Sequence, residues 1–393
     1  MTVDLKSLID KKDKLVIGLM SGTSKDGIDA ALVKLQGIGL NTDIELVKFI
    51  CVEYEADVRK RLDNLATECT LKEISELNFI IGGEFAKAAL GVIDEAGVNP
   101  ADVDLIGSHG WTVFHNPPSY NDGTPSTLQI GEIDEIAEKT GITTVGDFRT
   151  RDIAAGGEAA PLVPYVDYLL FRKKGTVSIA HNIGGIANVT VVTEEMDDVV
   201  AFDTGPGNML MDGIVKLATG GRQQYDRDGH TALAGKVNKE LLDKLLSDPY
   251  YSKPPPKSAG EELFGSEMAL TLYSYVDSEM LSLEDLMATL LMLTVESIVS
   301  SYKNFIFPNW DISEVIFSGG GCTNPLLMER IKAKLPSLKC TTSDDYGIPS
   351  NAKEAVAFAV LANELISGNT TNLPRVIGAQ RKVPMGKIAL GRP

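Results

Sequence analysis

Residues Val16 to Leu32, "VIGLMSGTSKDGIDAAL", set two apolar runs on either side of a turn with two serines, a threonine, an aspartate and two glycines. The alternation in Leu15–Met20 and Ile28–Val33 predicts two strands. A turn that only reverses a chain does not need so many donors. A turn that holds phosphate does: glycine lets the backbone come close to oxygen, and free N–H and hydroxyl groups donate to it. Gly22, Thr23, Ser24, Lys25, Asp26, Gly27, Ile28 and Asp29 are therefore candidate phosphate-loop residues. The spacing half-matches the P-loop pattern G-x-x-x-x-G-K-[ST], but Ile28 and Asp29 stand where Lys and Ser/Thr belong. A strand rather than a helix follows, which excludes a P-loop NTPase. A polar hairpin turn is the plain alternative for this stretch alone.

The design recurs. "TVSIAHNIGGIANVTVV" from Thr176 again reads strand, glycine turn, strand. "VVAFDTGPGN" is a strand ending in an aspartate and a Gly/Pro turn, and "EVIFSGGG" is a strand ending in three glycines. Candidate nucleotide contacts are thus Asn182, Gly184, Gly185 and Asn188, then Asp203, Gly205, Gly207 and Asn208, then Gly319, Gly320 and Gly321. None forms G-x-G-x-x-G in a strand–turn–helix unit, which argues against a dinucleotide site. Strand–glycine turn–strand in each half implies two related α/β domains with a cleft between them.

A chain of 393 residues is long enough for that division. Its net charge of −17 opposes binding to nucleic-acid backbones, although a local nest of N–H groups can still hold a small anion. Four cysteines without a C-x-x-C pair suggest reduced thiols and a cytoplasmic setting. The four histidines have no zinc-site spacing. The charged N-terminus lacks a signal-peptide core, and no apolar run reaches the ~18 residues of a membrane span. Helices are expected over Leu71–Ala96, Glu132–Thr140, Lys236–Leu246, Glu284–Tyr302 and Lys353–Ile366, with another starting at Pro164. Strands are expected at Asp104–Ser108 and Thr143–Phe148, with loop between His115 and Ser126.

A phosphotransferase also needs carboxylates, one to act on the nucleophile and others to hold Mg²⁺ through water. "GDFRTRDIAAGG" places Asp147 and Asp152 beside Arg149 and Arg151, at the head of a small-residue segment with room for a ligand. Asp152 faces the open segment and is the candidate base. Asp147 closes a strand, where an Asp–Arg pair is often structural. Asp26, Asp203 and Glu354 lie on or near the other turns and are candidate metal carboxylates. Glu354 opens a helix, which gives it a dipole-stabilising alternative.

"GLMSGTSKDGIDAAL", "GSHGWT", "TLQIG", "GDFRTRDIAAGG", "APLVP", "NIGGIANVT", "FDTGPGN", "YDRDG", "PPPKS" and "SGGG" resemble, in content and order, the anhydro-N-acetylmuramic acid kinases of the sugar kinase/Hsc70/actin class. The likeness runs from Lys14 to the C-terminal "NLPRVIGA". It implies an α/β, two-domain actin-like (ribonuclease H-like) ATPase fold with a central nucleotide cleft. One domain would span 1–142, joined by the tail 370–393, and the other 143–369. It further implies ATP and Mg²⁺ as cofactors, Asp152 as catalytic aspartate, and His109, Trp111, Asp147, Arg149, Glu158 and Glu354 around the sugar. In the implied reaction water opens a 1,6-anhydro bridge while O6 receives the γ-phosphoryl group, giving N-acetylmuramate 6-phosphate for cell-wall recycling. Arg149 and Arg151 are expected to keep Asp152 ionised by lowering its pKa. Partners would be a small sugar and ATP, with no nucleic acid and no membrane; a homodimer is left open.

Three motifs depart from the family pattern. Trp111 stands where H-G-Q-T is usual, Glu158 and Ala159 replace Gln and Gly, and Glu261 takes the place of an arginine. A tryptophan can stack on a sugar, and Glu158 adds negative charge where the substrate carries a carboxylate. Levoglucosan kinase, acting on a neutral anhydrosugar, is accordingly the alternative. A non-catalytic ATP-binding actin-like regulatory protein is the alternative of another class, and an inactive paralogue the third.

Overall fold

The computed structural model describes residues 5–22, 27–65 and 70–392. The chain forms two compact units, one of Met1–Leu170 with Ala352–Pro393 and one of Phe171–Asn351.

The first unit is built on β1 (Asp13–Met20), β2 (Gly27–Gln36), β3 (Asp43–Glu53), β4 (Leu105–Ser108), a separate hairpin of β5 (Trp111–Asn116) and β6 (Ser126–Ile130), and β7 (Thr144–Gly146). The main sheet runs β3-β2-β1-β4-β7, with Lys387–Ala389 added beside β7. Strands β1, β2 and β3 are antiparallel neighbours, while β4 and β7 continue parallel to β1. Side chains alternate across the sheet, so Ile17 and Leu19 point to one face and Gly18 to the other. Ile17 and Leu19 join Leu77, Ile81 and Phe85 of helix Leu71–Ala96 in one core. Thr70 caps that helix by accepting the Glu73 N–H at 3.1 Å, and Gly97 closes it with φ 66°.

The opposite face carries helix Lys353–Ile366 at very short range. Gly18 and Gly107 are register partners on β1 and β4. A Cβ on Gly18 would stand 1.7 Å from the Ala355 carbonyl oxygen, and one on Gly107 2.1 Å from that of Phe358. The paired glycines are what let the helix backbone lie on the sheet.

The second unit repeats the order with β8 (Val177–Ile183), β9 (Ile186–Val192), β10 (Val200–Pro206), β11 (Ile312–Ser318) and β12 (Lys339–Thr342). Its sheet runs β10-β9-β8-β11-β12, again three antiparallel strands followed by two parallel ones. Helix Leu283–Ser301 is apolar nearly all round because it is buried among the sheet and other helices of the unit. Ser282 caps it by accepting the Asp285 N–H at 3.1 Å. The same 3-2-1-4-5 order in both units is the duplicated ribonuclease H-like arrangement, so the fold is the two-domain α/β actin-like one.

The boundaries differ from those read in the sequence. Strand β7, expected to open the second domain after residue 142, pairs with β4 in the first sheet, and that unit continues to Leu170. The first unit also reclaims the chain at Ala352 rather than at 370, because helix Lys353–Ile366 packs on β1 and β4. Tight helix–sheet contact decided the division, and that contact leaves no boundary mark in composition.

Candidate active site

In the first unit, Asp152 lies on the short helix Thr150–Ala154 and is completely buried. Its Oδ2 accepts the Ala159 N–H at 2.8 Å and its Oδ1 accepts Nδ2 of Asn372 at 2.9 Å. Burial pushes its pKa up, the bonds from Asn372 and Ala159 pull it back, and the charge of Glu158 raises it again. The expectation that the arginines depress it is overturned: Arg151 is exposed, and Arg149 is directed elsewhere.

Arg149 donates from Nε at 3.2 Å and from Nη2 at 2.9 Å to His109 Nε2, and from Nη1 at 2.5 Å to the Ala159 carbonyl. Burial, then the charge of Arg149, lowers the His109 pKa to about 3. A neutral ring whose Nε2 accepts must carry its proton on Nδ1, which is 2.9 Å from the Gly110 carbonyl. Burial lowers Arg149 itself only to about 10, so it stays charged at neutral pH. Glu354, raised by burial, is offset by Lys353 and Arg149. Lys353 is buried and pairs with Asp167 at 2.5 Å.

Ala159 joins Asp152 to Arg149 through its N–H and its C=O. Its φ is 54°, in the left-handed region that favours glycine. The alanine that departs from the family pattern therefore occupies a position whose backbone explains the usual glycine. Gly157 is tied to side-chain space instead: a Cβ there would stand 2.2 Å from Asp152 Oδ2. Glu158 is half-buried; its Oε2 accepts Ser119 Oγ at 2.5 Å and its N–H donates to the Ile377 carbonyl at 2.7 Å.

Other predicted residues are placed differently. Trp111 lies in the core of the first unit with Ile130, its cross-strand partner, and Phe85, rather than presenting a face for a sugar to stack on. Asp147, at φ 54°, is engaged by Thr150 Oγ1 and by Lys387 Nζ, a structural use. Thr23–Asp26 of the opening turn fall outside the described residues. Of its flanks, Gly27 has a structural reason, since a Cβ would lie 2.3 Å from the Val52 carbonyl of β3. Ile28 is core, Asp29 pairs in register with Met20, and Gly22 lies just beyond β1. Glu261 opens the short helix Glu261–Phe264 and is exposed.

In the second unit three predicted turns come together. Gly184 and Gly185 join β8 to β9. Their carbonyls accept the N–H groups of Gly207, Asn208 and Met209 at 2.8 to 3.1 Å, which seats helix Met209–Thr219 against the hairpin. Gly207 is needed there, because a Cβ would meet the Gly184 oxygen at 2.2 Å. Gly319 at φ 88° and Gly321 pack on Ile183, whereas a Cβ on Gly320 would meet nothing within 4 Å. Asn182, Asn188 and Asp203 are register partners across β8, β9 and β10, a polar row beside these turns. Gly205 lies one residue past Thr204 at a shift in that register.

Asp203 Oδ2 accepts the Ala259 N–H at 2.8 Å, and burial raises its pKa to about 7. Lys257 stands among the rings of Tyr250, Phe305 and Phe202, at 4.6, 5.0 and 5.9 Å from their centroids. Burial lowers its pKa to about 8. No group of three His, Cys, Asp or Glu side chains forms a metal centre among the described residues. No helix among them is long and apolar enough to cross a membrane.

Sequence reading missed Asn372. Asn372 opens the stretch "NLPRVIGA", and its contact with Asp152, 220 positions away, has no local signal in the sequence.

The profile described as anhydro-N-acetylmuramic acid kinase matches residues 14–391. The anhydro-N-acetylmuramic acid kinase of Caldanaerobacter subterraneus subsp. tengcongensis is 48% identical over 393 residues, covering 98% of this chain and 99% of the relative. That of Clostridioides difficile strain 630 is 42% identical over 379 residues, covering 95% and 97%. That of Bacillus thuringiensis subsp. konkukian is 41% identical over 379 residues, covering 95% and 98%. The chain belongs to the anhydro-N-acetylmuramic acid kinase family.

Proposed function

We propose that this protein is an ATP-dependent kinase of 1,6-anhydro-N-acetylmuramic acid, opening the anhydro ring with water and phosphorylating O6. The observation that carries the reading is the buried, doubly hydrogen-bonded carboxylate of Asp152, set in a small-residue segment. Asp152 takes a proton from the attacking water as its oxygen bonds to C1. The C1–O6 bond breaks, O6 bonds to the γ-phosphorus, and ADP leaves. The product is N-acetylmuramate 6-phosphate, which places the enzyme in cell-wall recycling, with a cytoplasmic setting. Burial raises Asp152 above an ordinary aspartate, which makes it a stronger base than a surface one. Names and near-complete coverage of the relatives support the muramyl substrate over levoglucosan.

Arg149, charged and anchored by His109, is suited to an anionic sugar substituent, with Glu158 and Glu354 as polar neighbours. In the second unit, the row Asn182, Asn188 and Asp203 and the Gly184–Gly185, Gly205–Asn208 and Gly319–Gly321 turns are the proposed ATP contacts; in the first unit, the turn that begins at Gly22 is a proposed phosphate contact. Mg²⁺ held mainly by phosphate oxygens and water needs only one or two protein carboxylates, a requirement Asp203 fits. When bound it would neutralise charge on the transferring phosphoryl group.

The test is Asp152→Asn in an assay of ADP release from MgATP that depends on the anhydrosugar. A general base contributes roughly 10²- to 10⁴-fold, so turnover falls by that range while ATP binding persists. Turnover of the variant within tenfold of wild type, or turnover of N-acetylglucosamine alone, overturns the reading.

A further inference from the structure

We infer that Asn372 is a positioning residue for the reaction, holding the Asp152 carboxylate in its working orientation from the C-terminal tail. The inference rests on the reading of Asp152 as the base. Asn372 is buried and every polar atom of its amide is engaged. Its Oδ1 accepts the Val383 N–H at 2.7 Å, and its Nδ2 donates to Asp152 Oδ1 at 2.9 Å and to the Arg381 carbonyl at 3.0 Å. The Val383 bond fixes which end of the amide faces Asp152, since only an oxygen can accept that N–H.

The tail that carries Asn372 is itself tied to the Asp152 segment. Glu158 N–H donates to the Ile377 carbonyl at 2.7 Å, and Gln380 N–H to the Ala155 carbonyl at 3.0 Å. Asp152 is thus gripped on Oδ2 by its own segment, through Ala159, and on Oδ1 by a residue 220 positions away. A carboxylate with one fixed donor on each oxygen keeps its plane, and the remaining lone pairs define where a water can bind. Of the neighbouring charges, Glu158 acts on Asp152, while Arg149 is turned to His109 and the Ala159 carbonyl.

The experiment compares Asn372→Asp and Asn372→Ser with wild type in full-length protein, reading kcat, KM for 1,6-anhydro-N-acetylmuramic acid, the pH profile of kcat/KM and thermal stability. Asn372→Asp keeps shape, loses the donor and adds a like charge; Asn372→Ser shortens the side chain. We expect kcat to fall 10- to 100-fold with KM within threefold, and the acid limb of kcat/KM to move to higher pH because a bond favouring the charged carboxylate is gone. A residue that only stabilises the fold would lower the melting temperature and leave the limb where it is; that result in either folded variant overturns the inference. Asp152→Asn run alongside separates the two readings. If it retains turnover the base assignment fails, and if it is inactive while either folded Asn372 variant keeps the wild-type limb, only the positioning role fails.

Discussion

Gly157→Ala tests the site by a single methyl group. Gly157 does not need positive φ, so alanine is allowed by the backbone and any effect must come from contact. The new Cβ would lie 2.2 Å from Asp152 Oδ2, 2.7 Å from its Cγ and 2.8 Å from Oδ1. Ordinary contact begins at 3.4 Å, so the carboxylate oxygen must retreat by about 1.2 Å. It has little freedom to do so while it holds the Ala159 N–H at 2.8 Å and Asn372 at 2.9 Å. Losing one hydrogen bond to a charged group costs about 1.5–3 kcal/mol, so a loss of that order in stability is expected from urea unfolding. A displacement of ~1 Å at the reacting group costs on the order of 10²-fold in rate. The assay is anhydrosugar-dependent ADP release, with ATP affinity measured separately as a check on the second unit. Turnover within threefold of wild type, with unchanged stability, would refute the claim that Gly157 is there to make room for Asp152.

Two further predictions concern charge. The Lys353–Asp167 pair is 2% and 3% exposed, so Lys353→Met removes the ion-pair partner of a buried carboxylate and should destabilise the fold by about 3–5 kcal/mol in urea titration; pairing it with Asp167→Asn should restore much of that loss. Asp203, raised by burial to about 7, binds a proton in the folded state over a range where the unfolded chain has released it, so its contribution to stability is present below about pH 4 and falls as pH rises to 7. Lys257, lowered by burial to about 8, does the reverse, and its contribution rises again between about 8 and 10.5. Melting temperature across pH should therefore fall less between 4 and 7 in Asp203→Asn than in wild type; parallel curves would contradict the buried-carboxyl assignment.

Much of the architecture is legible because it rests on local pattern. Helix Leu71–Ala96 begins and ends where its period, its threonine cap and its closing glycine place it. The strand–glycine turn–strand hairpin of β8 and β9 is equally local. What stayed hidden depends on contacts distant in sequence. The segment read as loop, His115 to Ser126, includes the ends of the β5–β6 hairpin, with His115 paired to Thr127 across strands whose turn is nine residues long, Pro117 to Pro125. Gly18 and Gly107 look like ordinary strand glycines until helix Lys353–Ile366 is laid over them. Trp111 reads as a ring able to stack on a sugar because the resemblance sets it on the sugar side, yet strand alternation turns it into the core. Position 159 is legible only in retrospect: the backbone angle that explains a glycine there is a property of the folded turn.

The reversal at Asp152 changes how its reactivity is explained. Adjacent arginines in the sequence suggested a carboxylate held ionised by positive charge, which would also make it a weak base. In the fold the guanidinium of Arg149 is turned to His109, and burial raises the carboxyl while two N–H donors oppose that rise. The group is then a stronger base than an ordinary aspartate, and its ionised form depends on the same two bonds that orient it. Position and charge cannot be separated at such a site. A change that removes the Asn372 donor, or pushes Oδ2 away from the Ala159 N–H as Gly157→Ala does, must both misplace the carboxylate and favour its protonated form. The two variants touch opposite oxygens, 2.9 Å from Asn372 on one side and 2.8 Å from Ala159 on the other, so both should move the acid limb of kcat/KM to higher pH. Opposite shifts from the two would mean that the two bonds do not act on one carboxylate in the way its geometry requires.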